Sequence, residues 1–518
     1  MNQTAIFSAL SFEVHSQVDL YLSKLLNYHC NSTSLVVICE YGRSIDGNYI
    51  DCERVWNNSD SPIPVSQDLT KSACGSCSKA MEAYWKSYGF TTIKGDELLK
   101  ASSLDFVPIV SEATWSSRHI SIRSACGNIQ SSFQVDYSNK ILSSVFTRTR
   151  TSSVKELYRL SRSKGWDLTQ MLDGAVKLFV YGLIVARATY VIYPHISIAS
   201  CFSGRFNPSA GILAYHNLSG RQIVMHERGY LKGSFLFSLM EEPANPFLNY
   251  KQWLSSRSSN LSAETKKILL DYILSKVRGI NYNGYRFVSD DQLTDSFHSN
   301  NRYLCYFTSS SDELASFVPH YTFERQLYDI RLLLRWGLEH SVQVVVRHHP
   351  NLGQIGRPNA ATQFLEDVQS LKNPGLTILS PTCNINTYKL AFRALFNICP
   401  LSTLSLDLPI IGCRVISISD SPYAELYEST IDINSLENVQ LEFLYSLGDS
   451  SIYSEQLLYF AYCHYISISW CFSGISIDGF RPGNICLANV SQDHNATLFI
   501  SNLRHLLTNR AHGFISTC

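Results

Sequence analysis

Residues 342–351, VQVVVRHHPN, decide how the rest of the chain is read. A run this apolar and this rich in valine suits a strand buried on both faces, the kind that parallel sheets use. It stops abruptly on Arg347, His348, His349, Pro350 and Asn351. In an open parallel sheet, ligands bind beyond the carboxyl ends of the strands. The ending is therefore either a polar exit loop or part of an anion site. Arg347 offers a planar fork of donors suited to phosphate or carboxylate, and His349 can donate or accept near neutral pH. Pro350 stiffens the turn that presents them, while His348 is expected to pack beneath the loop.

Working outward, apolar β-type runs alternate with helical patterns over most of the chain, the signature of parallel α/β sheets. AIFSALSF (5–12), an amphipathic stretch over 14–28 and SLVVICE (34–40) open the chain as β-α-β. A long helical pattern over 168–191 leads into HISIAS (195–200), a Gly-Arg loop, a helix over 210–217 and QIVMHERG (222–229). RYLCYFTSSSDE (302–313), a helix over 323–340, the opening strand, LTILSP (376–381), LFNICP (395–400) and CRVISIS (413–419) build a second half of the same kind. The fold expected is α/β, with two Rossmann-like lobes facing a cleft and a cysteine-rich insertion near the N-terminus. The divisions expected are an N-terminal lobe over 1–260, a linker region over 261–295, a C-terminal lobe over 296–455 and a helical segment packing on the lobes over 456–518.

Composition bounds the function. The 518 residues carry 43 basic and 43 acidic side chains, so no polyanion-binding surface of nucleic-acid type is expected. Hydrophobic residues make up 45%, enough for large cores. The N-terminal MNQTAIFSALSFEVH lacks the basic start and long apolar run of a signal peptide, and a cytoplasmic location is expected. The 15 cysteines are odd in number and irregularly spaced, unlike a disulfide scaffold. Residues 456–477 carry no formal charge, but His464 and several serines favour a buried helix over a membrane span. Docking on a membrane surface is the lesser alternative.

Three further stretches carry chemistry. In 395–416, Ser402 and Thr403 follow a buried strand and precede a short apolar helix, where hydroxyls and free N–H groups can hold an anion or simply cap the helix. Asp407 is expected to face the same end and take a ribose hydroxyl. In 201–229, Glu227 at a strand terminus is the candidate general base and His226 the second, each competing with a plain ion pair; Arg205 can bind an acceptor carboxylate or brace its loop. Cys39, Cys52, Cys74 and Cys77 include one C-x2-C pair and can hold a structural zinc as four thiolates, or be separate buried thiols.

The ordered series TSSSDE (308–313), Gln326, VVVRHHPN, ILSPTCNINTY (378–388) and ST-x3-D-x4-GCRVI (402–416) resembles the nucleotide-sugar-binding lobe of bacterial capsule and surface polysaccharide glycosyltransferases of GT-B fold, capsule-type Kdo transferases and, more distantly, sialyltransferases among them. The resemblance covers roughly residues 300–425. It implies that His349 and Pro350 meet the donor nucleotide and that Ser402 and Thr403 hold its phosphate. Those families carry Glu and Pro where this chain has Asp407 and Arg414. The function implied is transfer of a sugar from a nucleotide-sugar donor to a surface polysaccharide or lipopolysaccharide acceptor, in the cytoplasm or at the cytoplasmic face of the inner membrane. The chain carries no Asp-x-Asp motif of the kind metal-dependent sugar transferases use to hold a divalent cation, so no metal is expected. No cofactor is required for that chemistry. A polyol-phosphate transferase, a nucleotide-sugar epimerase and a non-catalytic scaffold of a polysaccharide assembly complex stay open as alternatives.

Overall fold

The computed structural model describes residues 3–8, 13–40, 67–102, 119–123, 130–134, 145–146, 149, 151, 153–204, 207–228, 234–241, 250, 255, 261–278, 302–310, 321–353, 360–418, 421, 423–427, 430–438, 440, 458–459, 461–463, 468–469, 500–505 and 513–514. The chain forms two compact units. Met1–Val145, Ser161–Asn249 and Tyr465–Cys518 make unit 1, and Phe146–Leu160 with Tyr250–His464 make unit 2. This differs from the single crossing expected over 261–295, because strands and helices distant in sequence complete each unit.

Unit 1 runs β1 (Gln3–Ser8), α1 (Glu13–Cys30), β2 (Thr33–Ile38), α2 (Gln67–Ser87), β3 (Thr91–Lys94) and α3 (Gly95–Ala101). A separate antiparallel ribbon, β4 (His119–Arg123) with β5 (Gln130–Gln134), follows. After α4 (Val154–Lys164), which straddles the boundary between the units, come α5 (Leu168–Ile192), β6 (Ile198–Phe202), α6 (Ser209–Ser219), β7 (Ile223–Arg228) and β8 (Ser234–Leu239). The strands lie in the order β3-β2-β1-β6-β7-β8, parallel as far as β7 and antiparallel at β8. Ile468–Ser469 and Gly513–Phe514 add to β8 as short antiparallel strands, and Ile500 and Leu503 join the core of unit 1. The helical C-terminal segment expected over 456–518 is thus in part sheet, and it is divided between the units at His464.

Helix α5 is mostly buried, with Lys177 and Arg187 half-buried along it. Its Gly174–Ile192 stretch is long and apolar enough to cross a membrane, yet 78% of that window is buried within the protein. Close packing against α6 needs two glycines. A Cβ on Gly182 would fall on the carbonyl oxygen of Pro208, and one on Gly211 on that of Phe179.

Unit 2 begins, in its main part, with α7 (Ala263–Val277) and continues through β9 (Tyr303–Phe307), α8 (Phe323–Glu339), β10 (Gln343–Arg347), α9 (Ala360–Gln369), β11 (Leu376–Leu379), α10 (Thr387–Arg393), β12 (Asn397–Ile398), α11 (Leu404–Ile410) and β13 (Val415–Ile416). The sheet order is β11-β10-β9-β12-β13, all parallel. The first strand is therefore central and the order reads 3-2-1-4-5, the Rossmann-like winding. The parallel part of the sheet in unit 1 follows the same order. Thr322 starts α8 by accepting the Arg325 N–H on Oγ1 at 3.1 Å. From there a stripe of Phe323, Ile330, Leu333 and Trp336 packs against Val344, Val346 and Phe396 in one core.

Candidate functional site

In a sheet wound 3-2-1-4-5 the direction of winding reverses between the first and fourth strands, and the crevice opens beyond their carboxyl ends. In unit 2 those strands are β9 and β12. The loop after β9 is Thr308-Ser309-Ser310, and the loop after β12 holds Cys399 to Thr403. Beside β9, the end of β10 supplies His348 and His349. These loops are bonded together: Thr308 Oγ1 accepts the His349 N–H at 3.0 Å, and Ser310 Oγ lies 3.3 Å from His349 Nδ1. The Asn351 N–H also donates to that Nδ1, at 3.2 Å. A neutral His349 is thereby set with its lone pair on Nδ1 and its proton on Nε2.

The two histidines part as the sequence suggested. His348 is buried edge-on against Phe364, and burial, with Arg347 alongside, lowers its pKa to about 4. His349 is only half-buried. Pro350 opens a 3-10 turn, Pro350–Gly353, that leans on Pro381.

Arg347 does not present the expected open fork. Its Nη1 donates to the Ser380 carbonyl and its Nη2 to the Cys383 carbonyl at 3.0 Å, bracing the turn after β11. It is 6% exposed, its Nε has no hydrogen-bond partner, and among the described residues no carboxylate pairs with it. Burial lowers its pKa, because a guanidinium removed from water is costly in its charged form. Asp407 likewise turns inward. It is 2% exposed and accepts the Tyr388 hydroxyl at 2.8 Å, in place of the expected ribose contact. Ser402 accepts the Leu404 N–H at 3.3 Å, while Thr403, exposed, precedes α11 without a side-chain cap. Asn386 is the cap of α10, accepting the Tyr388 and Lys389 N–H groups.

Two polar residues lie on the apolar stripe of α8: Gln326, named in the resembling series without a role, and Asp329, which no motif of the sequence singled out. Gln326, wholly buried, grips both backbone groups of Ser309: Oε1 accepts its N–H at 2.8 Å and Nε2 donates to its carbonyl at 3.0 Å. Asp329, also wholly buried, accepts from the Tyr306 hydroxyl at 3.1 Å, from the Tyr321 hydroxyl and from Arg325 Nε at 3.0 Å. Burial raises its pKa to about 6, against the pull of the phenols and of Arg325. A carboxylate on the buried side of a helix was the signal available in the sequence, since such residues are seldom enclosed without partners.

The remaining candidates belong to unit 1. Successive residues of a strand face opposite sides of the sheet, so His226 and Glu227 on β7 point apart. His226 Nε2 lies 2.9 Å from Asp19 Oδ1, which also accepts the Ser200 hydroxyl at 2.7 Å. All three are buried, so His226 braces α1 against the sheet where a base was expected. Glu227 is half-buried, and Arg205 lies outside the described residues. Cys52 also lies outside them. Cys74 and Cys77 sit on the regular helix α2, and among the described residues no group of three or more His, Cys, Asp or Glu could hold a metal ion. Cys39, Cys74 and Cys77 form no three-ligand group on their own, and the expected fourth ligand, Cys52, is not among the described residues.

Fold and site together define an α/β protein with a candidate ligand site at the carboxyl ends of the parallel strands of unit 2. No protein-family model matches the chain, and no curated protein does. Among solved structures it is similar to Thermosulfurimonas dismutans KpsC, a beta Kdo 2,4 transferase, with a TM-score of 0.35 and 10% identity over 51% of this chain and 79% of that one. It is also similar to a UDP-GlcNAc 2-epimerase of Methanocaldococcus jannaschii, with a TM-score of 0.29 and 11% identity over 54% and 79%. A glycosyltransferase of Rickettsia africae has a TM-score of 0.27 and 8% identity over 89% and 93%. The fold is defined by the strand order and register of the two sheets.

Proposed function

We propose that unit 2 binds a nucleotide sugar and that the protein is a GT-B glycosyltransferase, passing the sugar to a surface polysaccharide or lipopolysaccharide acceptor. The observation that supports this reading is Arg347. A guanidinium 6% exposed, at the carboxyl end of a parallel strand, with no carboxylate partner among the described residues and only the Ser380 and Cys383 carbonyls on its Nη groups, is a buried cation balanced by dipoles alone. It favours an anion nearby through its field, although its Nη groups are occupied by carbonyls. His349, with its proton on Nε2, is a donor for a phosphate oxygen, and Ser402 and Thr403 are the hydroxyls on the neighbouring loop. In transfer, charge develops on the departing nucleotide phosphate, and these donors would stabilise it. Glu227 is the base we assign to the acceptor hydroxyl, and Arg205 the acceptor contact. No step is assigned to a metal. The reaction belongs at the cytoplasmic face of the membrane, where nucleotide sugars are the donors.

A thermal-shift screen against CMP, CDP, UDP, GDP and their sugars tests this. A nucleotide at about 100 times its Kd should stabilise the protein by about 2.7 kcal/mol. His349→Ala should abolish the shift while leaving the melting point of the free protein nearly unchanged. If no nucleotide moves the wild-type melting point, the glycosyltransferase reading fails.

A further inference from the structure

We infer that Gln326 is a positioning residue for the ligand site: acting through Ser309, it sets the direction in which His349 offers its Nε2 proton. Gln326 lies on α8, wholly buried, and holds both the N–H and the carbonyl of Ser309. One amide thereby does for Ser309 what a neighbouring strand does for a residue within a sheet.

The clamp stands where the ladder runs out. β9 ends at Phe307, and Thr308 N–H still donates to the Arg347 carbonyl at 3.1 Å. Ser309 is the next residue, and its backbone turns to the amide on α8. Its two neighbours are the residues that grip His349. Thr308 accepts the His349 backbone N–H, and Ser310 Oγ stands beside Nδ1. If Ser309 rotated, Thr308 and Ser310 would rotate with it in opposite senses. His349 would keep the Asn351 N–H on Nδ1 but lose the Thr308 and Ser310 contacts that orient its ring. The side chain at 326 must therefore both accept and donate, at the reach of a glutamine. Glutamate accepts only, and leucine does neither. A purely structural part for Gln326 would satisfy Ser309 and leave the imidazole indifferent to its loss.

This inference rests on the reading that a ligand meets His349, but its test does not. Protein labelled with 15N-histidine is examined by long-range proton–nitrogen NMR in mildly alkaline buffer, with the His349 signals assigned by their loss in His349→Gln. The wild type should give the Nε2–H tautomer for His349. In Gln326→Glu and Gln326→Leu the His349 ring shifts should move as the ring turns, while the Asn351 N–H still favours the Nε2–H tautomer. Binding of whichever nucleotide the wild type takes should weaken by about tenfold or more. His349 ring shifts unchanged from the wild type in both variants overturn the inference. Should neither variant fold, amide exchange of the wild type decides: Ser309 N–H should be protected like the β9 amides, and exchange at the rate of an exposed loop overturns the clamp. A wild type that binds no nucleotide removes the proposed function while the ring-shift result stands.

Discussion

Replacing Asp329 by asparagine should alter how stability depends on pH, with a calculable sign. The carboxyl is enclosed by Tyr306, Tyr321 and Arg325, and burial raises its pKa from 3.8 to about 6. The folded protein therefore binds this proton more tightly than the unfolded chain. Its contribution to stability is fully present below pH 3.8 and is lost as pH rises through about 6. At about 1.36 kcal/mol per pKa unit, the loss is on the order of 3 kcal/mol. Asparagine fits the same cage. Its oxygen can accept from Arg325 Nε, and its amide can donate to the phenol oxygens, which are able to accept. Urea unfolding of both proteins across the acid-to-neutral range checks this, with the difference between them taken at each pH so that other titrating groups cancel. Asp329→Asn should gain on the wild type as pH rises, by an amount of that order. Parallel curves would refute the reasoning, since they require an Asp329 that titrates alike in folded and unfolded chains.

Two further outcomes follow from packing and burial. Gly182→Ala and Gly211→Ala each drive a methyl group onto a backbone carbonyl between α5 and α6, and each should cost about 1–3 kcal/mol or more in thermal or urea unfolding. His216 and His348 are both held by burial at a pKa of about 4, below the ordinary 6.5. The unfolded chain takes up those protons first, so their effect is a loss of stability as pH falls from about 6.5 toward 4. His348→Leu should flatten that loss and leave stability near neutral pH almost unchanged, as urea unfolding across the same range would register.

Much of the fold was legible because buried parallel strands carry a local signal. VQVVV, LVVI and YLCYF stand out by composition alone, and their polar endings mark the carboxyl edge of a sheet. The division of labour between His348 and His349 was also local, since Pro350 fixes which side chain the turn presents. What escaped the sequence depended on partners far along the chain. Arg347 is engaged by carbonyls at 380 and 383, and Asp407 by the hydroxyl of Tyr388. His226 meets Asp19 and Ser200 from two other elements. No spacing rule links these residues. Gln326 and Asp329 were closer to legible, being polar positions on an otherwise apolar stripe. Their partners, Ser309 and the two tyrosines, were not.

The discontinuous chain path of unit 1 bears on synthesis. Its edge strand β8 pairs with Ile468–Ser469 and Gly513–Phe514, made more than 200 residues later. Unit 2 can finish folding while residues 465–518 are still to come, but the edge of the first sheet must wait. During that interval β8 has its outer backbone groups unpaired, and the nascent protein carries an adhesive edge whose lifetime is set by the speed of translation. Dividing the chain at residue 260 to obtain separate halves would make that interval permanent.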